Sequence, residues 1–491
     1  MGSSRVASLP FALSVRVVTT LALAASVVLV ASRGEAGGLF IAERGTRAGA
    51  RAGAFVAGAD DGAAAIYNPA GLVEAGTAVL FDVTYVRGTL DYTRRAPIVA
   101  RDPNTGEIVR GYEQTFPTVQ GKTPFVPIPT LVGSFAITRD IVVAVGAYAP
   151  LGTLYAFPDT VKGKPAPQRY SIANFEGSAL LVAGLWVAFR PVKQLQIGLG
   201  PTMMFGKFVN EATFGTCVPD RFLCAPEQPE FDTRSRLSAG GLAAPSANFG
   251  VQILPIDALR FGASFDLPRV LKSQGTIESR LPSSPLFDNA TLVGDRVDVR
   301  FVLPWVARIG AEIRPGKSTR VELAFAYEAW SSHDKIEGKP QNIELRNVAL
   351  FPPAYRLGNI NIDRKFQDSW SVKVGGEQNI PLGSMSLDAR VGVGYEKSAV
   401  PRSYVSALSM DANKVLVGLG AGLNVTTRLR FDASALVVLA SEVNVPVGEA
   451  KLYRINPVRA NAPVDGDIPV NGGKYAASTQ TFSLGMRYAF Q

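Results

Sequence analysis

From Arg320 to Trp330 apolar and polar side chains alternate: Val321, Leu323, Phe325 and Tyr327 fall on one side, Arg320, Glu322 and Glu328 on the other. A period of two marks a strand with one face in oil and the other in water. The pattern returns with Trp370, Val372 and Val374 against Lys373 and Glu377, and with Leu387, Ala389, Val391, Val393 and Tyr395 against Asp388 and Arg390. Near the end Leu429, Phe431, Ala433 and Ala435 oppose Arg430 and Asp432, and Phe482, Leu484, Met486, Tyr488 and Phe490 oppose Ser483 and Arg487. Strand candidates run over 78–87, 124–138, 141–149, 172–190, 195–208, 236–254, 259–267, 295–314, 320–330, 368–379, 386–396, 414–426, 428–439 and 477–490. No helical pattern lies between them. The expected fold is all-β, a transmembrane antiparallel barrel of about 14 strands.

The connections give the barrel an orientation. Six junctions are short, such as Arg139-Asp140, Pro191-Val192-Lys193 and Pro381-Leu382-Gly383, whereas the alternate ones are long, as at 88–123, 209–235 and 331–367. Outer-membrane barrels have short periplasmic turns and long external loops, so both chain ends are expected on the periplasmic side.

Composition narrows the function. The 491 residues include 48 glycines, one His and two Cys, and the formal net charge of +9 is spread along the chain rather than clustered. A nucleic-acid footprint is therefore not expected, although outer-membrane lipid headgroups remain expected partners. One imidazole leaves little room for metal sites or Ser-His-Asp chemistry, and His333, in Ser-Ser-His-Asp-Lys, reads as a solvated loop residue. No enzyme and no metal site are expected. Residues 1–36 combine Arg5 and Arg16 with an uncharged run and a small-residue cleavage site, the composition of an export signal. In an exported chain Cys217 and Cys224 are expected to pin a loop as a disulfide. The run Gly418, Gly420, Gly422 reads as a stripe of small residues facing the lumen, and with no phosphate-binding loop in the chain no cofactor is expected.

Before the first strand, residues 37–76 do not alternate. Ala- and Gly-rich sequence leads to Asp60-Asp61, a short helix through Ala65, and Asn68-Pro69-Ala70. Small residues at the periplasmic rim suit a plug folded into the lumen, leaving 77–491 as the barrel with its loops. Further signatures are Leu303-Pro304, Ala326-Tyr327-Glu328-Ala329-Trp330-Ser331, Asp368-Ser369-Trp370-Ser371-Val372 with Gly375, and Phe482 to Phe490.

In that order and at those spacings, the set resembles the FadL family of outer-membrane transporters for long-chain fatty acids and other hydrophobic compounds. The resemblance covers nearly the whole mature chain and implies a fourteen-stranded barrel gated by an amino-terminal hatch, with Asp60, Asp61, Asn68, Pro69 and Ala70 as hatch residues. It also implies capture of an apolar ligand at external loops and lateral exit through an inward kink in the third strand, where Gly146, Pro150 and Gly152 either break the ladder or mark an ordinary strand end. Phe125, Leu154, Tyr155, Phe157, Leu281, Leu286 and Phe287 either line a capture groove or pack a loop. Lys373, Arg390, Arg430 and Arg487 could take an acidic head group, or could instead brace the barrel against Glu322, Glu328, Glu377, Asp388 and Asp432. Transport is expected to be passive. Barrel-assembly machinery is an implied partner, although the final aromatic, Phe490, is followed here by Gln491. A general diffusion porin or a purely structural barrel is the alternative.

Overall fold

Alternating strands become a closed wall in the computed structural model, which describes residues 43–101, 108–150, 155–215, 229–349, 352–455 and 469–490. The first seven barrel strands are β1 (Ala78–Arg101), β2 (Pro127–Ala136), β3 (Ile141–Tyr148), β4 (Ala179–Val192), β5 (Leu195–Gly215), β6 (Asp232–Ile256) and β7 (Leu259–Asp266). The second seven are β8 (Val306–Ile313), β9 (Thr319–Glu328), β10 (Ser369–Leu382), β11 (Met385–Glu396), β12 (Lys414–Asn424), β13 (Leu429–Ala440) and β14 (Gly473–Ala489). Each pairs antiparallel with its neighbours in chain order. The ring closes where β1 meets β14, from Ala78 opposite Ala489 to Arg94 opposite Gly473, so the 14-stranded barrel leaves no open edge. The short turns all lie at the end where Ala78 and Ala489 pair.

Apolar side chains cover the outside of the lower wall. Leu131, Phe135, Val145, Leu185, Ile309, Leu323, Val393 and Leu484 are all exposed, as lipid contact requires. Above them stands a belt of aromatic residues: Trp305 lies 5.4 Å from both Phe265 and Tyr327, Trp370 lies 5.6 Å from Tyr395, and Tyr85 lies 4.9 Å from Phe125. Such belts mark membrane interfaces.

Much of what reads as external loop continues the wall above this belt. β1 runs on to Arg101, β5 to Gly215, and segments Arg269–Arg280 and Arg296–Leu303 extend β7 and β8 upward. The polarity of the wall inverts there. Below the belt Ile309 and Ile313 face out while Arg308 and Glu312 face in; above it Val297, Val299, Phe301 and Leu303 are buried inside while Arg296 and Arg300 are exposed. Apart from Val302 and Val306, the apolar side chains of this stretch keep odd numbers, so the break at Pro304-Trp305 turns one alternation from inside to outside. Leu267-Pro268 does the same next door, separating outward Phe261 and Phe265 from inward Leu271 and Ile277. Proline has no N–H to give the ladder, so a strand breaks readily where it stands. Above the belt the interior is consequently mainly apolar, with a few buried polar groups such as Arg94 and Glu211, which departs from the strand pattern of one face in oil and the other in water.

Candidate functional site

Residues 43–75 fill the lower bore, and nearly all are buried. Their short elements, α1 (Thr46–Ala50), α2 (Ala64–Tyr67) and α3 (Leu72–Ala75), hold together mainly through the wall. Asn68 organises the tightest turn: its carboxamide oxygen accepts from the Ala70 N–H at 3.2 Å and its amide donates to Val56 O and Val251 O at 3.0 Å. Pro69 then opens a single 3-10 turn, for which its fixed φ is preset. From the wall, Asn248 donates to Ala65 O (2.8 Å), Gln252 to Ala59 O (2.9 Å) and Ser264 to Tyr67 O (2.6 Å).

Charge fixes the other side of the plug. Arg51 donates to Glu312 (3.0 Å) and Glu322 (2.9 Å), and all three are fully buried. Glu322 also accepts the N–H groups of Val56, Ala57 and Gly58 at 2.6–3.0 Å. Arg47 bridges Asp60, Asp61 and Glu377, while Asp60 takes Arg320 (2.6 Å) and Asp61 takes Arg430 (2.9 Å). The wall admits this backbone because it presents glycines. A methyl group on Gly375 would sit 2.7 Å from Arg51 O, one on Gly262 2.7 Å from Val56 O, and one on Gly420 2.6 Å from the Ala50 methyl; Gly392 and Gly418 are closer still to the plug. Glycine in a strand marks such close backbone approach.

Above the plug the interior turns apolar. Leu90, Tyr92, Tyr155, Phe157, Met204, Ile277, Phe301, Trp330, Ile336 and Tyr475 belong to one buried cluster. Within it a pocket, partly open to solvent, is bounded by Phe208, Phe214, Leu237, Val299, Ile336 and Ile360. A second, polar pocket lies where the plug meets the wall, lined by Glu43 and Tyr67 of the plug and Arg308, Glu328, Lys373 and Glu396 of the wall.

A plugged fourteen-stranded barrel with this organisation agrees with the family of outer membrane transport proteins (OMPP1/FadL/TodX), whose model matches residues 27–490. The chain belongs to that family. A FadL homologue from Pseudomonas aeruginosa superposes with a TM-score of 0.68 at 15% identity, over 93% of this chain and 100% of that one. The P. putida toluene transporter TodX gives 0.59 at 13% identity, over 92% and 99%, and the monoaromatic hydrocarbon channel CymD 0.54 at 13%, over 91% and 97%. At these identities the likeness is one of fold. No curated protein is significantly similar in sequence.

The residues singled out in the sequence fall into distinct groups. Asp60, Asp61, Asn68, Pro69 and Ala70 are brought together in the plug. Of the four cations, Lys373 pairs with Glu43, Arg390 with Glu377, Asp388 and Asp432, and Arg430 with Asp61 and Asp432, while Arg487 donates to Ala75 O at 3.0 Å. All four therefore hold the plug or wall together. Phe125 is exposed against Tyr85 in the aromatic belt. Tyr155 and Phe157 line the apolar chamber, whereas Leu281, Leu286 and Phe287 pack with Leu345 and Val348 in a small core of their own. Gly146 pairs in register with Val132 and Gly184, so the β3 ladder continues through it and stops at Tyr148; Pro150 follows, buried. Gly152, Leu154, Cys217, Cys224, the export signal and residues 37–42 lie outside the described residues.

His333 departs most from expectation. It is fully buried, not solvated, with Nδ1 2.7 Å from Val302 O and its ring between Phe301, Trp330 and Phe366. Burial, with help from the nearby Arg364 charge, pushes its pKa down to about 4. Arg364 itself, in the loop before β10, was not legible as special from the sequence.

Proposed function

We propose that the protein is a passive outer-membrane channel for long-chain fatty acids or similar hydrophobic molecules, which enter the apolar chamber from the external loops, displace the plug and leave sideways near the top of β3. The observation that carries this reading is the inversion of wall polarity above the aromatic belt. Outside the bilayer, where no lipid covers the wall, an apolar lining serves no membrane purpose, yet it gives a hydrophobic solute a place to leave water. Each methylene buried there contributes about 0.8 kcal/mol, so a ten-carbon tail could gain about 8 kcal/mol before ordering costs. A charged plug directly below suits an obstruction that must close against ions and still be displaced. Lateral exit rests on the end of pairing between β3 and β4: Ala179–Leu181 of β4 pair with β5 but not with β3, which ends at Tyr148.

The test is uptake of radiolabelled long-chain acid and of toluene by outer-membrane vesicles or by a host lacking such channels, with and without the protein. Uptake above background that falls when Asn68-Pro69-Ala70 is replaced supports the reading; uptake indifferent to both changes refutes it. Large, steady ion conductance in a planar bilayer would favour the general diffusion pore instead.

A further inference from the structure

A row of cations crosses neighbouring strands on the outer face, just above the wall that meets lipid. Lys207 on β5, Lys272 on the extension of β7 (Arg269–Arg280) and Arg300 on the extension of β8 (Arg296–Leu303) are all exposed. Two residues before each lysine an apolar side chain points outward, Phe205 at 47% exposure and Val270 at 40%. The cations therefore stand one step, about 7 Å along the strand, above the last outward apolar residues.

Between Lys207 and Lys272 runs β6, and at this height it bulges. Its register with β5 shifts between Ala239 and Leu242, leaving Gly240 and Gly241 opposite Lys207. Gly241 takes a φ of 62°, which suits glycine, and a methyl group on either residue would meet nothing within 4 Å. Ser273 Oγ donates to Gly240 O at 2.6 Å, tying the bulge to the strand that carries Lys272. The result is an open notch with a lysine on each side.

The charges of this row do not cancel. Lys272 is directly opposite Arg300 in the ladder, and like charges so placed are unfavourable by themselves. Among the described residues neither lysine has an ion pair. Glu337, on the next strand, lies 3.6 Å from Arg300, but Lys335 also holds it, at 2.9 Å. Asp298 is one row higher, opposite Lys339.

We propose that Lys207, Lys272 and Arg300, with the notch at Gly240 and Gly241, hold the headgroup phosphate of an outer-leaflet lipid whose tails lie on Phe205 and Val270. A phosphate monoester offers three acceptor oxygens and close to two negative charges, enough for three cations at once. The notch lets it approach the wall, because the strand between the lysines presents no side chain there. Lysines two strand spacings apart, about 10 Å, converge on one phosphate through their flexible stems. Height on the wall selects lipid over a free anion: exposed cations bind an anion weakly, whereas a lipid is held at the right level by its tails. The site is on the outer face and does not depend on what crosses the bore.

Native mass spectrometry of the full-length protein in detergent micelles, with added diphosphoryl lipid A or its fully dephosphorylated counterpart, tests the site. The phosphorylated lipid is expected to bind about tenfold more tightly or better. Neutralising the row as Lys207→Gln, Lys272→Gln and Arg300→Gln is expected to abolish that preference, while Lys164→Gln, Arg402→Gln and Lys451→Gln together, on exposed loops elsewhere, should change it less than about twofold. Gly240→Asp puts a carboxylate into open space and is expected to act like the triple variant, deciding alone should that variant lose its resistance to SDS before heating. Equal binding of the two lipids, or an undiminished preference in the folded triple variant, overturns the site; an undiminished preference in Gly240→Asp overturns the part played by the notch. Displacement of the lipid by an equal concentration of inorganic phosphate overturns the lipid assignment and marks a site for the free anion.

Discussion

Replacing Arg51 by methionine would strand the buried carboxylate of Glu322 at the contact between plug and wall, while Glu312 would keep its 2.7 Å ion pair with Arg314. Removing one member of a buried ionic group costs about 3–5 kcal/mol, chiefly because the charge left behind has no partner. Nε and Nη1 of Arg51 find no acceptor, so the native arrangement is itself not fully satisfied and the lower end, about 3 kcal/mol, is the better expectation. At about 1.4 kcal/mol per factor of ten, this shifts the balance between seated and displaced plug by roughly two powers of ten. The plug keeps Arg47, Asn68 and the carbonyl contacts of Gln252, so it should remain mostly seated. Conductance in a planar bilayer should accordingly show brief openings about a hundred times as frequent as in the wild type, not a permanent pore. Adding Glu322→Gln removes the stranded charge while keeping oxygens for the Val56, Ala57 and Gly58 amides, and should restore most of the closed time. If Arg51→Met is as quiet as the wild type, the ionic contact does not hold the plug. If the double variant is as leaky as the single one, lost packing and not stranded charge is responsible.

Gly418→Leu places a side chain where the Gly49 and Ala50 carbonyls lie, and should unseat the plug enough to expose residues 43–75 to protease in intact barrels. The same side chain placed on the exposed outer face, as in Val415→Leu, should not. Ile336→Asp puts an unpaired charge into the apolar cavity and should lower affinity for a neutral hydrocarbon by at least tenfold in a fluorescence displacement assay, with the barrel still resistant to SDS. His333 is held neutral by burial, its folded pKa of about 4 lying below the unfolded 6.5. Its contribution is therefore fully present above about pH 6.5 and is lost as pH falls towards and through 4, about 3 kcal/mol in all. Unfolding in denaturant at pH 7 and pH 4 should show that difference, and His333→Phe should reduce it.

The lower barrel was legible in the sequence because lipid and water impose opposite demands on neighbouring residues, so every strand there advertises itself by alternation. The upper wall was not, for the same reason in reverse: with water outside and an apolar chamber inside, the alternation persists but its meaning inverts. Nothing in Val297, Val299, Phe301 against Arg296, Asp298, Arg300 says which face is which, and reading the stretch with β8 as one strand puts the wrong set outside. Only Pro304 hints at the change, and a proline is equally compatible with a simple end to pairing. The plug lay between these cases. Its small residues and the glycine stripe of β12 suggested close packing, but the carboxylates of β8 to β13 could as well have faced water, and whether Arg390 and Arg430 bind ligand or brace the barrel depends on partners more than thirty positions away in sequence. Arg364 was the least legible, because an arginine in a polar loop is ordinary; what sets it apart is burial with no carboxylate within ion-pair distance among the described residues, a property of the assembled chamber and not of any local stretch of chain.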